Sequence, residues 1–236
     1  MKRRDGLLAA LGVASTLCTR QAAAQTAAPA ASSESELKSL GQERYQVGRI
    51  VVDRRARSFS VPGLVHVVGK PLEYLATTKG GMKAYESMLE LDVTASEFNL
   101  ACILLGLERD AKQVPLGQFR QVPRLVGPRV NLSIVWMDKG KRRMVPAAEG
   151  LLNPEADSKP DTVEWVYIGS PASDFHGRFA ADQTGTLIGF VHDANSIIEA
   201  AVPIGLGAYG SVRGHAMLPP VGTPIELIVD VANAAR

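Results

Sequence analysis

The chain has 236 residues, 21% of them charged, with 26 Lys and Arg against 24 Asp and Glu and a formal net charge of +2. Its basic clusters, "DRRAR" (Asp53 to Arg57) and "KGKRR" (Lys139 to Arg143), are too short to build the broad basic face that nucleic-acid binding needs. Cys18 and Cys102 are the only thiols, too few for an iron–sulfur cluster or a cysteine-built zinc site.

The opening, "MKRRDGLLAALGVASTLCTRQAAAQ", has the order of an export signal: basic Lys2, Arg3 and Arg4, an apolar run from Leu7 to Leu17, and small residues at Ala22, Ala23 and Ala24. The run is shorter than the roughly 20 residues of a membrane-spanning helix. Residues 1–24 therefore read as a leader cleaved near Ala24, which predicts a periplasmic or secreted protein with no transmembrane segment in its mature part. The adjacent arginines and Arg20 resemble a twin-arginine signal, and general secretion is the other route. Cys18 would suit a lipoprotein, but bulky Leu17 stands before it where a small residue is required. Removing the leader takes away mostly basic residues and leaves the mature chain close to neutral.

From Gln25 to Ser35 there is almost nothing to bury. Residues 25–45 read as a lead-in and 46–236 as one globular domain, with folded structure starting between Glu36 and Val47. Short apolar runs follow, punctuated by turn residues: "RIVVD", "SFSVP", "LVHVVG", "LEYLA" and "ESMLELDV". Thr94 with Glu97 three residues on is a capping box, and it predicts a buried helix over about 94–106, ended by Gly106. Cys102 lies within it as a small buried residue.

Val130, Leu132, Ile134 and Trp136 alternate, and "DKGK" turns the chain into "RRMV", which predicts a hairpin. Pro146 starts a short accessory helix. "TVEWVYIGS", "RFAA" and "TLIGFVH" read as a second hairpin region turned by "DQTG", and "IELIVD" is the last strand. The expected fold is α+β: a mainly antiparallel sheet of short strands and hairpins with one buried helix and short accessory helices.

Three constellations carry possible chemistry. "GLGAYG" (Gly205 to Gly210) matches the dinucleotide-binding glycines, but prolines and glycines follow where a helix is required, so the match is accidental. Asp174, His176, Arg178 and Asp182 lie close in sequence, and His192 and Asp193 end the next strand. If those strands pair, imidazoles and carboxylates meet in a set fit for a single metal ion or acid–base work, although a polar hairpin end looks the same. Glu73, Tyr85 and Glu86, with Lys70 and Lys83, line one patch if "LEYLA" pairs with "ESMLELD". No cofactor is predicted, and the chain has no Ser nucleophile elbow, phosphate-binding loop, His-Glu-x-x-His helix or calcium loop.

The blocks "VVDRRARSFSVPG", "GKPLEYLATTKGGMKAYESMLELDVTASEFNLACILLGL", "WVYIGS", "AADQTGTLIGFVHD" and "LPPVGTPIELIVD" together resemble the YdjY-like family of exported bacterial proteins over about Arg49 to Asp230. That resemblance implies export but no established activity. Tyr85 and Asn99 stand where the family often carries histidine, so a metal site built on those histidines is not carried over. The ferredoxin-like description attached to some relatives does not fit a chain with so few cysteines.

The functional expectation is a non-enzymatic exported domain that binds a small ligand or an envelope protein. A metal-assisted or acid–base hydrolase using the hairpin 174–193 is the alternative.

Overall fold

The computed structural model describes residues 37–109, 124–152, 163–171, 179–204 and 211–232. Among the described residues the first elements are the hairpin β1 (Leu37–Gly41) and β2 (Arg44–Val47), followed by β3 (Ile50–Asp53) and β4 (Ser58–Val65). Next come β5 (Tyr74–Thr78), β6 (Ser87–Leu91) and the helix α1 (Ala95–Leu104). The hairpin β7 (Arg129–Asp138) and β8 (Lys141–Pro146) leads into a 3-10 turn and short β9 (Leu151–Leu152). The remaining elements are β10 (Trp165–Tyr167), α2 (Ala180–Thr184), β11 (Thr186–Gly189), β12 (Ile198–Ala200), β13 (Arg213–Gly214) and β14 (Pro224–Val231).

The strands form a closed eight-stranded barrel, in the order β4-β14-β7-β10-β12-β11-β5-β6 and back to β4. This corrects the expected α+β sheet: the fold is mostly β and the sheet closes on itself. Closure depends on β4, which is long enough to hold two neighbours on one side. Its first half pairs with β3, from Val51↔Ser60 to Asp53↔Ser58, and its second half pairs with β6, from Gly63↔Leu91 to Val65↔Leu89. β14 runs along its other side. Pro62 sits at the changeover between β3 and β6, where the missing N–H costs a ladder bond least, and its carbonyl accepts the Asp92 N–H at 2.9 Å.

Gly63 permits the closure. A Cβ there would lie 2.4 Å from the Glu90 carbonyl oxygen and 2.7 Å from Leu91 Cδ2, so a side chain would push the two strands apart.

Each barrel strand feeds one continuous core, for example through Val61, Leu227, Ile134, Trp165, Ile198 and Leu89. An eight-stranded barrel is just wide enough for side chains to fill, and here they bury one another as a single cluster. Val166 and Ile168 point to the opposite face and pack with Leu125 and Ala201 in a small outer cluster. The strongly apolar short strands come from full burial: β10, β11 and β12 are buried at every position.

Helix α1 forms as expected. Thr94 accepts the Glu97 N–H, and the Glu97 carboxylate accepts the Thr94 N–H at 2.7 Å. Phe98, Ala101 and Cys102 enter the barrel core, where Phe98 meets Phe59 edge to face with centroids 5.2 Å apart. Ile103 is 52% exposed, so the helix is buried on one side and not all round.

Two local expectations change. "DQTG" is not a hairpin turn but the end of α2, which Gly185 closes in a left-handed conformation. "LEYLA" and "ESMLELD" do pair, as β5 and β6, but in parallel, with Tyr74↔Ser87 and Thr78↔Leu91. The hairpin of β7 with β8 and the final strand β14 stand where the sequence puts them.

Candidate functional site

A recess along the barrel's closure offers binding space. The change of partner along β4 leaves such a space. Arg49 precedes β3, Lys79 follows β5, and Glu90 and Asp92 stand at the end of β6; together they line a cleft of about 200 Å³. Its apolar walls are Pro62 and Leu64 of β4 and Pro224 and Ile225 of β14.

The charges are partly committed. Arg49 Nη1 donates to Asp92 Oδ2, tying the start of β3 to the end of β6. Glu90 Oε1 accepts the Gly80 N–H at 2.9 Å, and its Oε2 lies 3.2 Å from His66 Nδ1. Lys79 is exposed, and its ammonium has no partner among the described residues.

A second polar group lies inside the wall. Glu199 on β12 is wholly buried, and its Oε2 and Oε1 accept the backbone N–H groups of His192 and Asp193, each at 3.1 Å. Burial pushes its carboxyl up to about 8, against the lowering effect of the Asp193 N–H, the Ser196 hydroxyl and the His192 N–H. It is therefore mostly protonated at neutral pH. Gly189 on the parallel neighbour β11 makes room for it, since a Cβ there would be 2.0 Å from Glu199 Oε1.

Tyr74 donates its hydroxyl to Asp193 Oδ2 at 3.0 Å. Burial and then the Asp193 charge raise its pKa, so it remains a neutral donor. His192 is 3% exposed with φ +67°, and its Nε2 lies 3.1 Å from the Ala200 carbonyl oxygen. Burial lowers its pKa, against the opposing effect of the Ala200 and Ala201 backbone. The group staples the turn after β11 to β12 and β5.

The sequence candidates are distributed as follows. Asp174, His176, Arg178 and the "GLGAYG" run lie outside the described residues. Asp182 faces the first turn of α1, where its carboxylate accepts the Ser96 N–H at 2.9 Å and the Ser96 hydroxyl. His192 and Asp193 do come together, but around Glu199 and Tyr74, which the sequence reading did not select.

Glu86 pairs with Lys83 at 3.2 Å, and Lys83 Nζ lies 5.6 Å from the centroid of the exposed Tyr85 ring. Glu73 meets Glu86 through the backbone, its N–H donating to the Glu86 carbonyl at 3.0 Å. That patch is a solvated strand end. Among the described residues, no group of three or more His, Cys, Asp and Glu side chains is placed to hold a metal ion.

Cys102 is buried, and burial raises its thiol pKa, as befits a packing residue. Asn99 accepts the Tyr167 hydroxyl at 2.8 Å, tying α1 to β10.

Arg49, Lys79, Glu90 and Asp92 were missed because they are scattered in sequence and adjacent only after closure. The one local signal was the charge at each strand end in "GRIVVD" and "LELDV", which solvated turns also carry.

These features define a closed β-barrel domain with a continuous apolar core and a cleft at its closure. The chain belongs to the YdjY domain family, whose model matches residues 50–230. No curated protein and no solved structure matches the chain.

Proposed function

We propose that this chain is an exported, non-enzymatic domain that binds a small ligand in the cleft beside β4. The cleft carries the reading: it is a recess lined by both apolar and charged side chains, the mixture that small-ligand sites use. The leader-like opening supports export. An envelope protein is the partner alternative, and the exposed edge strand β1 with Leu37 and Leu40 is the surface it would use.

The hydrolytic reading of the hairpin 174–193 has weaker support. Of its described residues, Asp182 is engaged with Ser96, and His192 is buried against the Ala200 carbonyl. A general base must reach the proton it removes.

Native mass spectrometry with elemental analysis tests the proposal, on protein recovered from the cell envelope without chelators. The expected species begins after Ala24 and carries no stoichiometric metal. A full-length cytoplasmic species overturns export. A stoichiometric metal lost in H176A and H192A replaces binding with metal-assisted chemistry.

A further inference from the structure

We infer that the cleft takes a carboxylate with a short apolar body; this rests on the binding reading above and names the ligand class. Glu90 has both oxygens engaged, one by the Gly80 N–H and one facing His66 Nδ1. Asp92 already receives Arg49 through Oδ2. The cations are less committed. Arg49 uses Nη1 on Asp92, and a guanidinium has five N–H donors in a fork suited to carboxylates. Lys79 has three donors and no side-chain partner among the described residues. Asp92 keeps Oδ1 open, but both carboxylates already have a partner, whereas the Lys79 ammonium has none among the described residues and calls for an anionic acceptor.

The walls set the remainder of the ligand. Pro62, Leu64, Pro224 and Ile225 present carbon, so a bare inorganic anion would leave them wet. At about 200 Å³ the space falls below the roughly 300–1,000 Å³ of drug-sized sites, which limits the apolar body to a few carbons. Both a free short-chain acid and the C-terminal residue of a peptide meet this description.

Protein-observed NMR titration of the purified full chain separates the possibilities, using butyrate, butylamine and butanol as matched probes. Butyrate is expected to move the amide signals of Leu64, Lys79 and Ile225 saturably, and K79Q to weaken it about tenfold, the loss of one charged hydrogen bond. K141Q, on the distant β8 edge, is expected to leave the titration unchanged. Acetyl-Gly-Leu with a free C-terminus, compared with its amide, then distinguishes the sources. A stronger response to the free acid peptide than to butyrate assigns a peptide C-terminus, and the reverse order assigns a free acid. Equal or stronger shifts with butylamine or butanol overturn the carboxylate class while leaving the cleft as a binding site. No saturable shift with any probe overturns both.

Discussion

Asp182 receives both the backbone N–H of Ser96, at 2.9 Å, and its hydroxyl, so α2 supplies a cap to the first turn of α1 from 86 positions away in sequence. Helix starts carry unpaired N–H groups and a partial positive charge. Thr94 satisfies the Glu97 N–H within the helix, and Asp182 satisfies the Ser96 N–H from outside it. An acidic residue selected from the sequence as a site candidate thus has a structural task. It fixes the helix whose Phe98 packs against Phe59 of the barrel.

Replacing Asp182 with Ala should therefore lower stability by about 1–2 kcal/mol, as the loss of a capping group does, and D182N should retain part of that. T94A should cost about 1 kcal/mol by the same reasoning. Urea denaturation followed by far-UV circular dichroism measures both. If ligand binding at the cleft is unchanged in D182A, the effect belongs to the helix alone.

Glu199 gives the fold a pH dependence of definite sign. Its carboxyl titrates near 8 in the native state against an ordinary value of 4.5, because burial disfavours the charge. Between these values the native chain keeps a proton that the unfolded chain has released. Its contribution is therefore fully present below pH 4.5 and is lost as pH rises through about 8. The expected slope is up to about 1.4 kcal/mol per pH unit. E199Q should remove it, and at neutral pH should also sacrifice one acceptor, since an amide nitrogen cannot receive a backbone N–H. Unfolding free energies measured from pH 5 to 9 read the slope apart from the offset.

Gly63→Ala should strike the barrel closure. The added carbon would fall 2.4 Å from a backbone oxygen of β6, which cannot swing away as a side-chain tip can. The strands must separate, at a cost of about 1–3 kcal/mol or more. Hydrogen exchange should then quicken at Leu64, Val65 and Leu89, where β4 and β6 pair, more than at the hairpin of β7 and β8. The cleft would be distorted by the same movement, so G63A should also weaken any ligand held there.

Local chemistry was readable and ring closure was not. The alternation Val130, Leu132, Ile134, Trp136 marks β7, and Thr94 with Glu97 marks α1, because each signal is complete within a few residues. Closure rests on Gly63↔Leu91, a pairing between strands whose own patterns suit an open sheet equally well. The parallel pairs β5 with β6 and β11 with β12 were hidden for the same reason. Burial of a carboxyl group was hidden too. Nothing local in "SIIEAAV" marks Glu199 as buried, yet it is fully buried, with two N–H groups of the partner loop turned onto it. Arg49 and Asp92 illustrate the site: 43 positions apart, they become neighbours only when β3 and β6 share one side of β4.

The left-handed backbone of His192 sets a final expectation. At φ +67° a β-branched side chain clashes with its own backbone, whereas Asn tolerates the region. H192N should therefore fold, and H192V should be less stable than H192N by about 1–3 kcal/mol. Both variants lose the imidazole contact with the Ala200 carbonyl, so their difference reports the backbone and not the ring. The ring itself shows in the acid limb. Burial lowers the His192 pKa from its ordinary 6.5, so its contribution is present above that value and is lost as pH falls below it, when the unfolded chain takes up a proton first. Its slope opposes that of Glu199 where the two windows overlap. H192N should therefore flatten the loss of stability on acidification below pH 6.5 and leave the alkaline limb to Glu199. An unchanged acid limb in H192N would show that other groups govern it.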